Sequence, residues 1–172
     1  MWPVVVIALS AGAQAEPVRT VPSVDLSRYV GVWHEIARYP NQFQDQCAGD
    51  VTATYARRDD GRLSVVNRCR TADGGVDEAE GEARVVEGSG NARLKVRFAP
   101  AWLGFLPWVW GDYWVIGLEE GYRWVVVGTP DRKYLWVLAR DPSMTEEHWN
   151  AAIGEARENG FDPARLQRTP QS

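Results

Sequence analysis

The chain has 172 residues, of which 45% are hydrophobic and 24% are charged, and this composition is typical of a single soluble globular domain. It excludes a disordered chain and a collagen-like repeat. Lys and Arg number 19 against 23 Asp and Glu, so the net charge of −4 argues against a nucleic-acid partner. Nine Trp, six Tyr and four Phe supply large apolar side chains with polar atoms, which suits a protein that lines a cavity.

Residues 1–15 (MWPVVVIALSAGAQA) carry an apolar run at 4–9, then small residues, then Ala-Gln-Ala before Glu16. This pattern predicts a secretory signal peptide with a cleavage site after Ala15, although no Lys or Arg precedes the apolar run. The run is too short to span a bilayer, which needs about 20 apolar residues. An uncleaved apolar tail is the alternative. Residues 16–25 are then a short N-terminal extension of the mature protein.

Both cysteines, Cys47 and Cys69, lie in the predicted mature chain. An exported protein meets an oxidising compartment, so we predict a disulfide between them, with two buried free thiols as the alternative. The two histidines, His34 and His148, show no metal-ligand spacing with the cysteines, and we expect neither a metal site nor a cofactor.

Short apolar runs separated by turn residues fill the chain from position 31 to 140, which is typical of an antiparallel sheet. The pattern predicts eight strands, at about 31–38, 49–58, 61–70, 76–87, 91–98, 111–118, 122–129 and 134–140. Eight sequential strands close into an up-and-down β-barrel wide enough for one small ligand. The fold class is therefore all-β.

A helical pattern follows position 140. Ser143 and Glu146 have the spacing of a capping box, and Trp149, Ala152, Ile153 and Ala156 recur at helical intervals. The apolar stripe is narrow, so this helix is expected to pack on the outer wall of the barrel. The barrel and helix occupy residues 26–165, and 166–172 are a C-terminal tail.

Four segments in order resemble the lipocalins, and within them the bacterial lipocalin and apolipoprotein D branch. They are 31–38 (GVWHEIAR), 51–55 (VTATY), 111–118 (GDYWVIGL) and 134–140 (YLWVLAR). The second signature of the family is only partly present, because 118–122 (LEEGY) retains an acidic residue and the last Tyr of that signature but nothing else of it. Anchored members of this branch carry a lipidated Cys near the amino end, and Gly12 stands where a lipid-anchor motif would place it.

The resemblance implies that the barrel has a closed end and a mouth. The first strand starts and the last strand ends at the closed end, so Gly31, Trp33 and Arg140 are expected there, with the Arg140 guanidinium over the Trp33 indole. These three are structural residues. The connections at 39–48 and 99–110 lie at the mouth.

Alternation along the strands, with phases taken from the resemblance, predicts the residues that line the ligand cavity. They are Glu35, Ala37, Phe43, Ala53, Tyr55, Val65, Asn67, Tyr113, Val115, Arg123, Val125, Tyr134 and Trp136. A lone buried carboxylate is costly, so Glu35 is expected to pair with Arg123, either below the cavity or at a ligand head group.

The second mouth connection, 99–110, is too apolar for a solvated loop. Its large apolar residues are predicted to touch a bilayer transiently, and a lid folded on the core is the alternative. They are Trp102, Leu103, Phe105, Leu106 and Trp108.

Family resemblance favours non-enzymatic binding of a hydrophobic small molecule, a fatty acid or lysophospholipid. An enzyme on the same barrel is the alternative, but neither histidine has a suitable nucleophile nearby. A protein-binding role for the Trp-rich mouth is a third possibility, and a dimer is compatible with all three. The expected location is the periplasm or envelope of a bacterium, peripheral to the outer membrane.

Overall fold

An antiparallel β-barrel with a helix on its outer wall forms the fold. The computed structural model describes residues 15–98 and 109–172. Its elements, in chain order, are α1 (Leu26–Tyr29), β1 (Gly31–Arg38), β2 (Cys47–Arg57), β3 (Leu63–Thr71), β4 (Val76–Val85), β5 (Arg93–Arg97), β6 (Gly111–Leu118), β7 (Trp124–Gly128), β8 (Leu135–Ala139), α2 (Glu146–Glu158) and β9 (Gln167–Arg168). Short 3-10 helices lie at Gln42–Gln44 and Pro163–Arg165.

Strands β1 to β8 close into a barrel. Each strand from β2 to β8 pairs antiparallel with its neighbour in sequence, and β1 pairs with both β2 and β8. Closure satisfies the backbone groups that an open sheet would leave at its edges. The predicted eight-stranded up-and-down barrel is confirmed, although several strands begin or end one or two residues away from the predicted limits.

The two faces of the barrel wall carry separate apolar clusters. The inner cluster contains Trp33, Tyr55, Leu63, Val65, Val115, Val125, Val127 and Leu138. The outer cluster joins Ile36, Trp124, Val126 and Val137 of the wall to Ala152 and Ala156 of α2. Helix α2 therefore packs outside the barrel, as predicted, since its apolar stripe faces the outward residues of the central strands.

The predicted capping box of α2 is wrong by two residues. Thr145 is the N-cap, and its side chain accepts a hydrogen bond from the His148 N–H at 3.2 Å. Ser143 lies outside the helix. Glu146 therefore lies in the first turn of the helix and not at the third helical position. Together with Glu147 it places negative charge at the positive end of the helix dipole, which is stabilising.

A β-bulge in β1 reverses its alternation. Glu35 pairs with Leu138, whose side chain is in the inner cluster, but the register then shifts and Ala37 pairs with Val137. Ala37 consequently belongs to the outer cluster, and Arg38 takes the inward position opposite Trp136. The prediction that Ala37 faces the cavity is wrong, because the extra residue of a bulge shifts every later side chain to the other face.

The C-terminal residues join the barrel wall. β9 pairs antiparallel with β1 at Ala37 and Arg38, beyond the point where the pairing of β1 with β2 ends at His34 and Thr52. Pro170 O accepts a hydrogen bond from the Asp50 N–H at 2.8 Å. Hydrogen bonds from Ser172 and Arg70 lower the pKa of the Asp50 carboxyl to about 2. The segment at 167–172 thus bridges β1 and β2 on the mouth side.

The outer wall carries a buried carboxylate among arginines. Glu82 on β4 forms ion pairs with Arg58 at 2.7 Å and Arg62 at 2.9 Å, and with Arg97 on the neighbouring strand. Its side chain is 6% exposed. Burial by itself raises the pKa of this carboxyl, but the hydrogen bonds and positive charges of Arg97 and Arg62 outweigh burial, and the pKa is lowered.

We expect the Glu82 cluster to make the protein less stable in acid. A carboxyl whose pKa is lower in the folded state stabilises the fold above its unfolded pKa of about 4.3 and loses that contribution as the pH falls through its folded pKa. Urea unfolding of the parent and of Glu82→Gln at pH values from about 7 down to 3 measures the effect. The difference in free energy of unfolding between the two proteins should shrink toward low pH. A difference that is independent of pH would contradict this account.

Among the described residues, none of the helices has the length and hydrophobicity needed to cross a membrane.

Candidate ligand-binding site

The closed end of the barrel is sealed by Trp33 and Arg140. The Arg140 guanidinium lies 3.8 Å from the centroid of the fully buried Trp33 ring, which confirms the predicted cation-π pair. Arg140 also donates to the carbonyl oxygens of Val32, Tyr29 and Arg28. A Cβ at Gly31 would lie 3.2 Å from the guanidinium, and the φ of +105° there favours glycine. These residues close this end of the barrel.

Above this seal, three tyrosines share hydrogen bonds across the barrel interior. The hydroxyl of Tyr113 lies 2.6 Å from that of Tyr29 and accepts a hydrogen bond from Tyr55 at 3.0 Å. Burial raises the pKa of Tyr55 to about 12 and the pKa values of Tyr29 and Tyr113 well above the ordinary range. All three therefore remain neutral hydroxyls at physiological pH. We call this set the tyrosine cluster.

The walls near the tyrosine cluster are aliphatic. Val65, Val115, Val125 and Val127 face inward and are 0 to 2% exposed. Nearer the mouth, inward positions of β2, β3 and β4 are more open to solvent. Ala53 and Asn67, which pair across β2 and β3, are half-buried, and Ala79 opposite Asn67 is exposed. The interior is thus packed at the closed end and accessible toward the mouth.

A polar network lies on the mouth side of the interior around Glu35, which is 3% exposed. Its carboxylate accepts hydrogen bonds from Arg38 at 2.6 Å, from Gln44 at 2.7 Å and from Thr169 at 2.5 Å. The Gln44 side-chain oxygen in turn accepts from the Trp136 indole N–H at 3.0 Å. The buried charge is therefore paired and fully hydrogen-bonded, as burial of a carboxylate requires.

The predicted pair of Glu35 with Arg123 is wrong. Arg123 lies at the β6–β7 turn just before β7, its side chain is exposed, and its carbonyl oxygen accepts from the Arg140 N–H at the closed end. The prediction that Arg123 faces the cavity is therefore also wrong. The bulge in β1 brings Arg38 inside, and this nearer arginine neutralises Glu35.

Aromatic rings stand beside this network at the mouth. The Tyr134 and Trp136 rings stack with centroids 5.8 Å apart, and Phe43 packs on Tyr134 at 5.6 Å. Phe43 is 62% exposed, so one face of this group meets solvent. These rings form an apolar surface at the mouth of the barrel.

A disulfide joins Cys47 at the start of β2 to Cys69 near the end of β3, which confirms the predicted pairing. Their Cα atoms are 5.5 Å apart. The bond lies on the mouth side of the barrel, where β2 carries two register shifts, and it secures these strands where ladder pairing is irregular.

Trp102, Leu103, Phe105, Leu106 and Trp108, which were predicted to contact a membrane, lie outside the described residues, as do residues 1–14 of the predicted signal peptide.

Sequence reasoning missed four residues of the site. Arg38, Gln44 and Thr169 surround Glu35, and Tyr29 completes the tyrosine cluster. Tyr29 had a usable signal, since it is an aromatic residue two positions before the first predicted strand. In the structure its ring lies 5.1 Å from the Trp33 ring. The other three depend on a bulge, a 3-10 turn and a C-terminal strand that simple alternation does not reveal.

A closed eight-stranded antiparallel barrel with a sealed end, an apolar interior and a polar mouth is an architecture typical of barrels that bind small ligands. The chain matches the Lipocalin-like domain family over residues 24–171. It is 38% identical over 162 residues to the outer membrane lipoprotein Blc of Escherichia coli strain K12, covering 94% of this chain and 87% of that one. It is 37% identical over 161 residues to temperature-induced lipocalin-1 of Arabidopsis thaliana, covering 92% and 86%.

The fold comparison agrees. Insecticyanin from the tobacco hornworm Manduca sexta superimposes with a TM-score of 0.72 at 19% identity, over 92% of this chain and 87% of that one. The chain belongs to the lipocalin family, in the bacterial lipocalin and apolipoprotein D branch. Membership of this family supports the binding of a small hydrophobic molecule.

Proposed function

We propose that this protein binds a fatty acid or lysophospholipid in the barrel, without enzymatic turnover, and carries it in the bacterial envelope. The observation that carries the proposal is the gradient inside the barrel. Aliphatic walls that are almost fully buried lead up to half-exposed inward positions and then to a charged, hydrogen-bonded network. An acyl chain with one polar end matches this order of environments.

The proposed orientation places the acyl chain toward the tyrosine cluster and the polar head near Arg38. The Arg38 side chain is 15% exposed and its Nε atom is buried without a hydrogen-bond partner. A carboxylate or phosphate oxygen of the ligand would supply the missing acceptor. Glu35 holds this arginine in place through its hydrogen bond to the other side of the guanidinium.

Delivery to the envelope is part of the same proposal. It is supported by the predicted signal peptide and by the relatives named outer membrane lipoproteins. We also propose that the Trp-rich connection at 99–110 meets bilayers transiently during lipid uptake, because large apolar side chains there would shed water on contact. Phe98 just before it is 43% exposed.

Native mass spectrometry of protein purified from a bacterial envelope should detect one retained acyl lipid.

Replacing inward Ala53 by Trp fills the interior beside Trp33. It should weaken hexadecanoic acid binding at least about tenfold, because the packed side chains around it cannot move far enough to restore the space. Thr54→Trp is the matched control on the outward face of β2 and should bind as the parent does. Equal affinities of both variants, or conversion of a lipid ester into products, would contradict the proposal.

A further inference from the structure

The tyrosine cluster contains more hydroxyl protons than its hydrogen bonds use. Three hydroxyls bring three protons, and two hydrogen bonds join them, one between Tyr29 and Tyr113 and one from Tyr55 to Tyr113. One O–H therefore has no acceptor within the cluster. One hydroxyl proton is left without an acceptor whichever of Tyr29 and Tyr113 donates to the other.

The spare proton belongs to Tyr29 or to Tyr113, and burial distinguishes them. Tyr29 is 2% exposed and its ring is enclosed by Trp33 and Tyr55 at centroid distances of 5.1 and 5.6 Å. Tyr113 is half-buried. An unpaired O–H in an apolar enclosure costs about 1 to 3 kcal/mol, so Tyr29, the more enclosed of the two residues, donates to Tyr113, and the spare proton is that of Tyr113. In this arrangement the Tyr113 oxygen accepts from both neighbours and is saturated as an acceptor.

We propose that the Tyr113 hydroxyl is a hydrogen-bond donor to a neutral acceptor oxygen at the deep end of the bound ligand. The preferred ligand class is then an acyl chain with a hydroxyl, ether or carbonyl oxygen near its far end. A chain without such an oxygen leaves the donor unpaired in the apolar part of the barrel. The proposal rests on the proposed acyl-chain binding and on its orientation, with the polar head toward Arg38.

The saturated acceptor makes the site asymmetric. The Tyr113 hydroxyl can donate a hydrogen bond to the ligand but cannot accept one, because both of its lone pairs accept from Tyr29 and Tyr55. An ether oxygen, which only accepts, should therefore satisfy the site as well as a hydroxyl does. A terminal amide N–H or ammonium group should not satisfy the site, because it only donates hydrogen bonds.

The test compares the affinities of hexadecanoic acid, its omega-hydroxy derivative and its omega-methoxy derivative by isothermal titration calorimetry. The parent protein should bind both oxygenated chains at least as tightly as the plain chain. In Tyr113→Phe, both oxygenated chains should bind about tenfold more weakly relative to the plain chain, because their oxygen is buried without a donor. The plain chain measures whether the variant still folds and holds an acyl chain.

Tyr29→Phe is the matched control. It removes a hydroxyl from the same cluster but leaves Tyr55 donating to Tyr113 and the Tyr113 proton free for the ligand, so the relative affinity for oxygenated chains should be kept. Retention of that relative affinity in Tyr113→Phe, or its loss in Tyr29→Phe, would overturn the inference. If the parent binds the plain chain but disfavours both oxygenated chains, the inference fails while the proposed function stands. If it binds none of the three, the proposed function fails first.

Discussion

Replacing Cys47 and Cys69 by Ser is expected to lower the free energy of unfolding by about 3 kcal/mol, because the bond closes a loop with a sequence separation of 22 residues. The loop contains most of β2 and β3, whose pairing is irregular on the mouth side. The bond restricts the unfolded chain and also secures this irregular end of the folded ladder.

Urea unfolding with and without a thiol reductant measures the effect. The parent should lose about 3 kcal/mol when reduced, and the double Ser variant should show no response to the reductant. Thiol counting in the denatured, unreduced parent should find no free thiol, since both cysteines are in the bond. Equal stability of the oxidised parent and the Ser variant would contradict the prediction.

Arg140→Ala is expected to lower the free energy of unfolding by about 3 kcal/mol while leaving ligand affinity within about twofold. The guanidinium stacks on the buried Trp33 ring and donates to three backbone carbonyl oxygens around α1 and the start of β1. Its loss removes the stacking and leaves the Tyr29 carbonyl with the Trp33 indole N–H as its remaining side-chain donor.

Arg140→Lys is the matched variant. It keeps the positive charge but lacks the planar fork that meets several carbonyl oxygens at once, so an intermediate loss is expected. Chemical denaturation gives stability, and calorimetric titration with hexadecanoic acid gives affinity. A variant that is as stable as the parent but no longer binds would place Arg140 in the ligand site and overturn its assignment to the closed end.

The strand pattern and the barrel were predictable because they follow from local periodicity. Val125 and Val127 alternate with Trp124 and Val126, and the structure places the two pairs in the inner and outer clusters as alternation requires. The same reasoning, supported by the family resemblance, placed Trp33 beside Arg140. The predicted export of a chain with two cysteines paired Cys47 with Cys69.

The polar part of the candidate site was not predictable in this way. One extra residue in β1 turns Ala37 outward and Arg38 inward, and it replaces the expected Arg123 partner of Glu35. The energetic difference between an extended strand and a bulged one depends on the neighbouring strands, so nothing local to 31–38 reveals it.

By itself, then, the sequence determined the barrel, the outer helix, the disulfide and the aliphatic interior, because these depend on side-chain periodicity and on residues close in the chain. The tertiary structure alone decided which charged side chains form ion pairs and which tyrosine hydroxyl lacks an acceptor within its cluster. Thr169 reaches Glu35 across a separation of 134 residues, and Tyr113 meets Tyr29 across 84. Contacts of this kind are set by strand register and barrel closure, which bring together groups that no local pattern relates.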